Sequence, residues 1–285
     1  MINLNQKLLL FVIFLLILPI KTTAANDRNY EDEDSPISFT LEILPWQQVD
    51  GVIPKGAKFT VIDVETGMYF KVQRRAGSQH ADVQPLTRKD TQVMKKIYNG
   101  KWSWNRRAII VVAGDQLIAA SMHGMPHGGG ALQNGFPGHF CIHFFGSTTH
   151  RTRKLDATHH LMILKAGGKL DEYVETVDPY ELITIFATGI NMEDKRLLEL
   201  SVGTSENDRL IRTLIKDLRS LEIIHMPLLP VEDLNELVLV EIPVQVKYAK
   251  KHGRKVKKEM NFIARRDSHM NQWYIDGEYF LKELK

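Results

Sequence analysis

The sequence predicts two folded parts: a mostly-β domain over residues 39–170, then an α+β domain over 171–285 with helices packed on a curved antiparallel sheet. Three observations predict this. Short runs rich in Val, Ile, Tyr and Phe, broken by glycine-containing turns, fill the first part. Helix-start signals cluster just after Val177. Finally, Val238, Val240, Ile242, Val244, Val246 and Tyr248 alternate without a break, the mark of a long strand with one buried face. The chain is 44% hydrophobic and 25% charged, enough apolar content for two modest cores.

Each element follows in order. Lys7 precedes an apolar run, Leu8 to Leu18, and Thr22-Thr23-Ala24-Ala25 follow it. This is the layout of a secretory signal peptide over residues 1–25, and it predicts an exported, extracytoplasmic protein. An uncleaved leader acting as an anchor is the one circumstance in which a membrane would be a partner. Residues 26–38, with Glu31-Asp32-Glu33-Asp34, read as an acidic, disordered linker. Lys58–Val64 and Met68–Gln73 form a hairpin around Glu65-Thr66-Gly67. A short helix, Thr91–Tyr98, stops at Asn99-Gly100. Trp102-Ser103-Trp104, Ala108–Val112 and Gln116–Ala120 then lead towards the richest stretch of the chain.

That stretch is Ser121–His150. It holds five of the eleven histidines and the single cysteine, Cys141. His139, Cys141 and His143 alternate with Phe140, Ile142 and Phe144, so a strand places the reactive set on one face and the apolar set on the other. Gly124, Gly128, Gly129 and Gly130 flank Met125-Pro126-His127 and predict a loop, with Met125–Asn134 a lid over the site. One cysteine makes no internal disulfide, and a thiol kept outside the cell is either buried or used. A neighbouring histidine supplies what a cysteine nucleophile needs, a base for its proton. The formal net charge of +3 gives no electrostatic case for nucleic acid.

Beyond the site, Asp156 caps a helix to Ala166, ended by Gly167-Gly168, with His159-His160 expected to be exposed at its start. Asp178-Pro179-Tyr180-Glu181 opens a helix to about Ile190, with a shorter one, Asp194–Leu200, behind it and a third starting at Ser205. Lys250–Gly253 is a hairpin tip, and Met260–Arg266 and Gln272–Asp276 complete the sheet. The basic residues around that tip read as a solvated surface that can meet anionic wall polymers.

His123, a gap of fourteen residues, then Gly138-His139-Phe140-Cys141-Ile142-His143 resembles the active-site motif of the L,D-transpeptidases, cysteine enzymes that cross-link bacterial peptidoglycan. The resemblance implies a β-sandwich for residues 39–170. It further implies Cys141 as nucleophile, His123 as general base, Gly124 as the residue that orients that base through an oxygen, and His139 as the site histidine. His143, His127, His150, Trp104 and Arg106 would contact the substrate, a peptidoglycan stem peptide, with no cofactor. Gly138 stands where the family has Ser or Thr, Phe140 where it has Gly, and His143 where it has Arg or Asn. Weaker likeness, in Asp178-Pro179-Tyr180-Glu181, Arg196–Ser201 and Gln272–Asp276, makes 171–285 similar to ketosteroid-isomerase-like cone domains, which serve as ligand-binding or assembly modules.

Two further readings stay open. His123, His127, His139, Cys141 and His143 are all residue types that zinc accepts, with His80 and Asp82 as an additional pair, which implies a zinc-dependent wall amidase or peptidase. The third is a wall-binding protein without catalysis.

Overall fold

The computed structural model describes residues 40–149, 154–203, 208–228 and 234–284. The expected leader and acidic linker, the helix start at Ser205 and His150 lie outside them. Among the described residues are eleven strands and eight α-helices.

The strand-prone runs of the first half close on themselves. β2 (Lys58–Asp63), β3 (Tyr69–Ala76), β4 (Ala81–Pro85), β5 (Arg106–Ala113), β6 (Gln116–His123) and β7 (Phe140–His143) pair in the order β6-β5-β2-β3-β4-β7. β7 then pairs back onto β6, so the sheet is a closed six-stranded barrel, a solution that leaves few open edges. β1 (Leu41–Glu42) adds to β6 in parallel. Period-two alternation fills one side of this barrel with Phe59, Val61, Phe70, Val72, Val83, Val111, Met122, Phe140 and Ile142. α1 (Trp46–Val52) and α2 (Arg88–Ile97) add Trp46, Val49, Met94 and Ile97 to the same core. The α2 start lies earlier than the sequence suggests because Thr87 and Asp90 form a reciprocal capping box.

A second core begins on the other face of β5 and β6, at Ala108 and Ala119, and continues through α3 (Ala157–Ala166). It joins α4 (Leu170–Thr176), α5 (Pro179–Met192), α6 (Lys195–Val202) and α7 (Asp208–Asp217) to a curled antiparallel sheet. That sheet has the order β11 (Tyr274–Ile275), β10 (Lys255–Arg265), β9 (Leu239–Lys250), β8 (Leu218–His225). The alternation read in the sequence puts Ile242, Val244, Val246 and Tyr248 inside. Phe186 of α5 meets Phe280 of the last helix, α8 (Gly277–Glu283), edge to face with ring centroids 5.0 Å apart. Asp156, Asp178 and Asp194 cap α3, α5 and α6 through backbone N–H groups, as their sequence positions indicate.

Two sequence expectations change. Asp276 does not end a strand but caps α8. His159 is buried, since the polar first turn of α3 docks on β6 and gives the imidazole a hydroxyl partner. No helix among the described residues is long and apolar enough to cross a membrane.

Candidate functional site

The site grows from strands buried on both faces. β4, β6 and β7 lie side by side, and their barrel-core faces carry Val83, Met122, Phe140 and Ile142. Alternation therefore turns Asp82, Ser121, His123, Cys141 and His143 to the opposite face, and all five are buried. Register brings them together. Asp82 stands opposite Cys141 on β4–β7, and Ser121 stands opposite His143 on β6–β7. α3 closes one side: His159 Nδ1 is 2.8 Å from Ser121 Oγ, and its ring stacks on His143 with centroids 3.9 Å apart.

The loop after β6 closes the other side. His127 and His139 form an isolated antiparallel bridge, with N–H to carbonyl bonds of 2.9 Å in both directions. Buried Gln84 ties the loop down. Its amide donates to Gly138 O at 2.8 Å, and its oxygen accepts from the backbone N–H groups of Ala131 and Leu132. Gly138 has φ +124°, and a Cβ there would lie 2.5 Å from His127 O. Gly138→Ala is therefore expected to cost about 1–3 kcal/mol through backbone strain. The check is a lower urea midpoint together with faster exchange of the His127 and His139 amides. A midpoint equal to wild type would show that the loop has another way to close.

Eight groups with metal-binding or nucleophilic chemistry meet here. Cys141 Sγ lies 3.3 Å from His127 Nε2 and 3.6 Å from Asp82 Oδ1, to which its S–H donates. Asp82 Oδ1 is 3.3 Å from His80 Nε2 and 3.9 Å from His139 Nε2. Three rings are anchored by backbone carbonyls at Nδ1: His80 by Thr148 at 2.7 Å, His127 by Met125 at 3.1 Å and His139 by Gly129 at 2.9 Å. In a neutral ring such a bond keeps the proton on Nδ1, so Nε2 presents its lone pair to the site. His123 Nδ1 is buried and makes no hydrogen bond among the described residues.

Burial keeps the Cys141 thiol and the His123 and His159 imidazoles uncharged. Burial, then the charge and hydrogen bond of Asp82, push the Cys141 thiol well above its usual range. Burial, with His127 and Arg106 adding to it, lowers His123 to about 3. Burial, then His143, also lowers His159 well below the usual imidazole range. A resting thiolate–imidazolium pair between Cys141 and His123 is thus disfavoured at both ends.

A cavity of about 240 Å³ opens onto the cluster, lined by His80, His123, His127, Cys141, His143 and His159 together with Trp104, Arg106 and Thr149. Trp104, 50% exposed, covers the mouth with its ring 4.6 Å from His123 and 5.5 Å from His127. Arg106 lines the wall and pairs with Asp156 at 2.7 Å.

The structure thus assembles Cys141, His123, His127, His143, Trp104 and Arg106 around one cavity, while His139 is not among its lining residues and contacts His127 and Asp82 instead. Gly124 is placed by packing: its N–H donates to Ser103 O, and a Cβ would strike the Tyr98 ring at 2.4 Å. The backbone oxygen that orients an imidazole beside the thiol is that of Met125, and the ring is His127. His159 and Ser121 are the additions that sequence reasoning misses. Only the caps of α3 hinted at them, because an Asp156 cap fixes where His159 falls on the first turn. Compared with protein-family models, with curated proteins and with solved structures, the chain gives no match.

Proposed function

We propose that this cluster is a zinc-type metal centre held by His123, His127 and Cys141, and that the protein uses it to hydrolyse amide bonds in peptidoglycan stem peptides outside the cell. One observation carries the metal assignment: the ligand atoms of these three residues lie within 4.8 Å of one another, at the wall of the cavity. Three protein ligands with a fourth side open is the arrangement of catalytic zinc. Carbonyl-anchored imidazoles, as at His127, are the usual second shell of metal-binding histidines. A metal also suits the charge state, since a coordinating thiol gives up its proton while a neutral, buried His123 is already a ligand. When bound, such an ion supplies a water that ionises near neutral pH.

The chain's own residues do the rest. Trp104 offers a half-exposed ring against which a substrate can lie. Arg106 is the cation on the cavity wall, suited to the negative charge that develops on the carbonyl oxygen. The water oxygen bonds to the carbonyl carbon, the C–N bond breaks, and the amine leaves with the proton. The leader and the L,D-transpeptidase resemblance support the location and the substrate class.

A second reading is favoured by one contact. His127 Nε2 lies 3.3 Å from Cys141 Sγ with its other nitrogen held by Met125 O, a thiol–imidazole pair with a fixed tautomer. In that reading the barrel domain acts as the L,D-transpeptidase-like part and Cys141 forms a thioester that an amine resolves. The curled sheet with its helices would be the ketosteroid-isomerase-like module beside it.

The test counts zinc in protein purified without a histidine tag and alkylates Cys141 across pH on the same sample. The expected result is stoichiometric zinc that shields Cys141, with release of amines from wall fragments that stops on chelation and returns with zinc. A metal-free protein whose alkylation is half-maximal below the reference thiol pKa of about 8.5, and is lost in His127→Ala, overturns it in favour of acyl transfer.

A further inference from the structure

We infer that the cluster holds a second metal ion, bound by His80, Asp82, Cys141 and His143, with the Cys141 thiolate shared between the two ions. This rests on the metal reading above and extends it from one ion to two.

The described residues contain two separate triads with metal-ligand spacing, and both include Cys141. In the second, the ligand atoms of His80, Cys141 and His143 again lie within 4.8 Å of one another. Asp82 stands beside it, with Oδ1 3.3 Å from His80 Nε2 and 3.6 Å from Cys141 Sγ. Two nitrogens, a sulfur and a carboxylate oxygen are donor types that a four-coordinate zinc site accepts. The two triads differ in exposure. His80, Asp82, Cys141 and His143 are all buried, at 5% exposure or less, whereas His127 of the first triad is half-buried beneath Trp104. Both triads line the same cavity, and the difference in exposure rests on His127.

The surroundings of the buried set point the same way. Thr148 O holds His80 Nδ1 at 2.7 Å, which aims Nε2 inward. His143 is clamped between the rings of His80 and His159, at centroid separations of 4.4 and 3.9 Å. A thiolate touching both ions would hold them about 3.5–4 Å apart, the separation of two-metal hydrolytic sites. Removing one ion would then disturb the other, because both depend on the same sulfur.

The experiment strips the whole untagged protein of metal and titrates it with Co²⁺. Bound ions are counted by native mass spectrometry, and the sulfur-to-cobalt charge-transfer band and electron paramagnetic resonance signal are followed. Two Co²⁺ per chain are expected, with a spin signal that weakens as the second ion couples to the first. His80→Ala is expected to hold one ion, with an uncoupled signal. The wild-type count decides even where a variant misfolds. One ion per chain that survives His80→Ala overturns the second site and leaves the open centre standing. One ion that survives His127→Ala but not His80→Ala overturns both the shared arrangement and the open centre. No bound cobalt removes the metal reading altogether.

Discussion

Cys141→Ser is expected to lower zinc affinity by well over 100-fold, measured by competition with a chromophoric chelator. Losing an outer-shell partner of a metal site already costs about 10–100-fold, and Cys141 is no outer-shell group. Its sulfur is the atom common to both triads, within hydrogen-bonding reach of His127 and Asp82. A serine hydroxyl keeps its proton at neutral pH, so it supplies neither the charge nor the soft donor of a thiolate. Folding should change little, because the serine hydroxyl still has Asp82 as its acceptor. Serine that binds zinc as tightly as wild type would sink the thiolate assignment. A wild type that never bound zinc, yet loses amide turnover on this substitution, would instead make Cys141 the nucleophile.

Arg74→Ala is the substitution with the largest expected effect on stability, about 3–5 kcal/mol, because it strands several backbone carbonyls at once. Arg74 is 1% exposed and its guanidinium is the clasp between β3 and the end of α1. Nη1 donates to Ile53 O at 2.7 Å, and Nη2 to Gly77 O at 2.8 Å and to Asp50 Oδ1 at 2.5 Å. Nε donates to Ala76 O at 3.3 Å, and Cζ lies 4.8 Å from the Trp46 ring centroid. The pair with Asp50 is the lesser part, since that carboxylate is 54% exposed and screened by water. Stranding the backbone carbonyls is the greater cost. Arg74→Lys should recover under half of the loss, because an ammonium group lacks the fork that reaches three carbonyls at once. Urea unfolding of both variants checks this. A lysine variant as stable as wild type would show that the charge alone matters.

The parts of the molecule that were legible in the sequence are those fixed within a few residues. The hairpin at Gly67, the strand Leu239–Lys250 and the Asp caps of α3, α5 and α6 depend on local periodicity and on side chains bonding their own next turn. The same holds for the division of His139, Cys141 and His143 from Phe140, Ile142 and Phe144, which strand geometry alone enforces. Barrel closure was not legible, because it needs β7 to find both β4 and β6.

The sequence by itself determined which residue types are available and which face of each strand they occupy: one thiol, flanking imidazoles and a glycine-rich loop beside them. Only the tertiary structure decided which of them meet. The L,D-transpeptidase resemblance implies His123 as the partner of Cys141, while the loop, pinned by Gln84, brings His127 closest. Asp82 faces the thiol through a β4–β7 register between residues far apart in the chain, and His159 arrives on a helix from the other side. The physical reason is that alternation is a property of the backbone within one strand. Register and docking are settled by burying the apolar faces of several strands at once, and the polar faces meet wherever that burial places them.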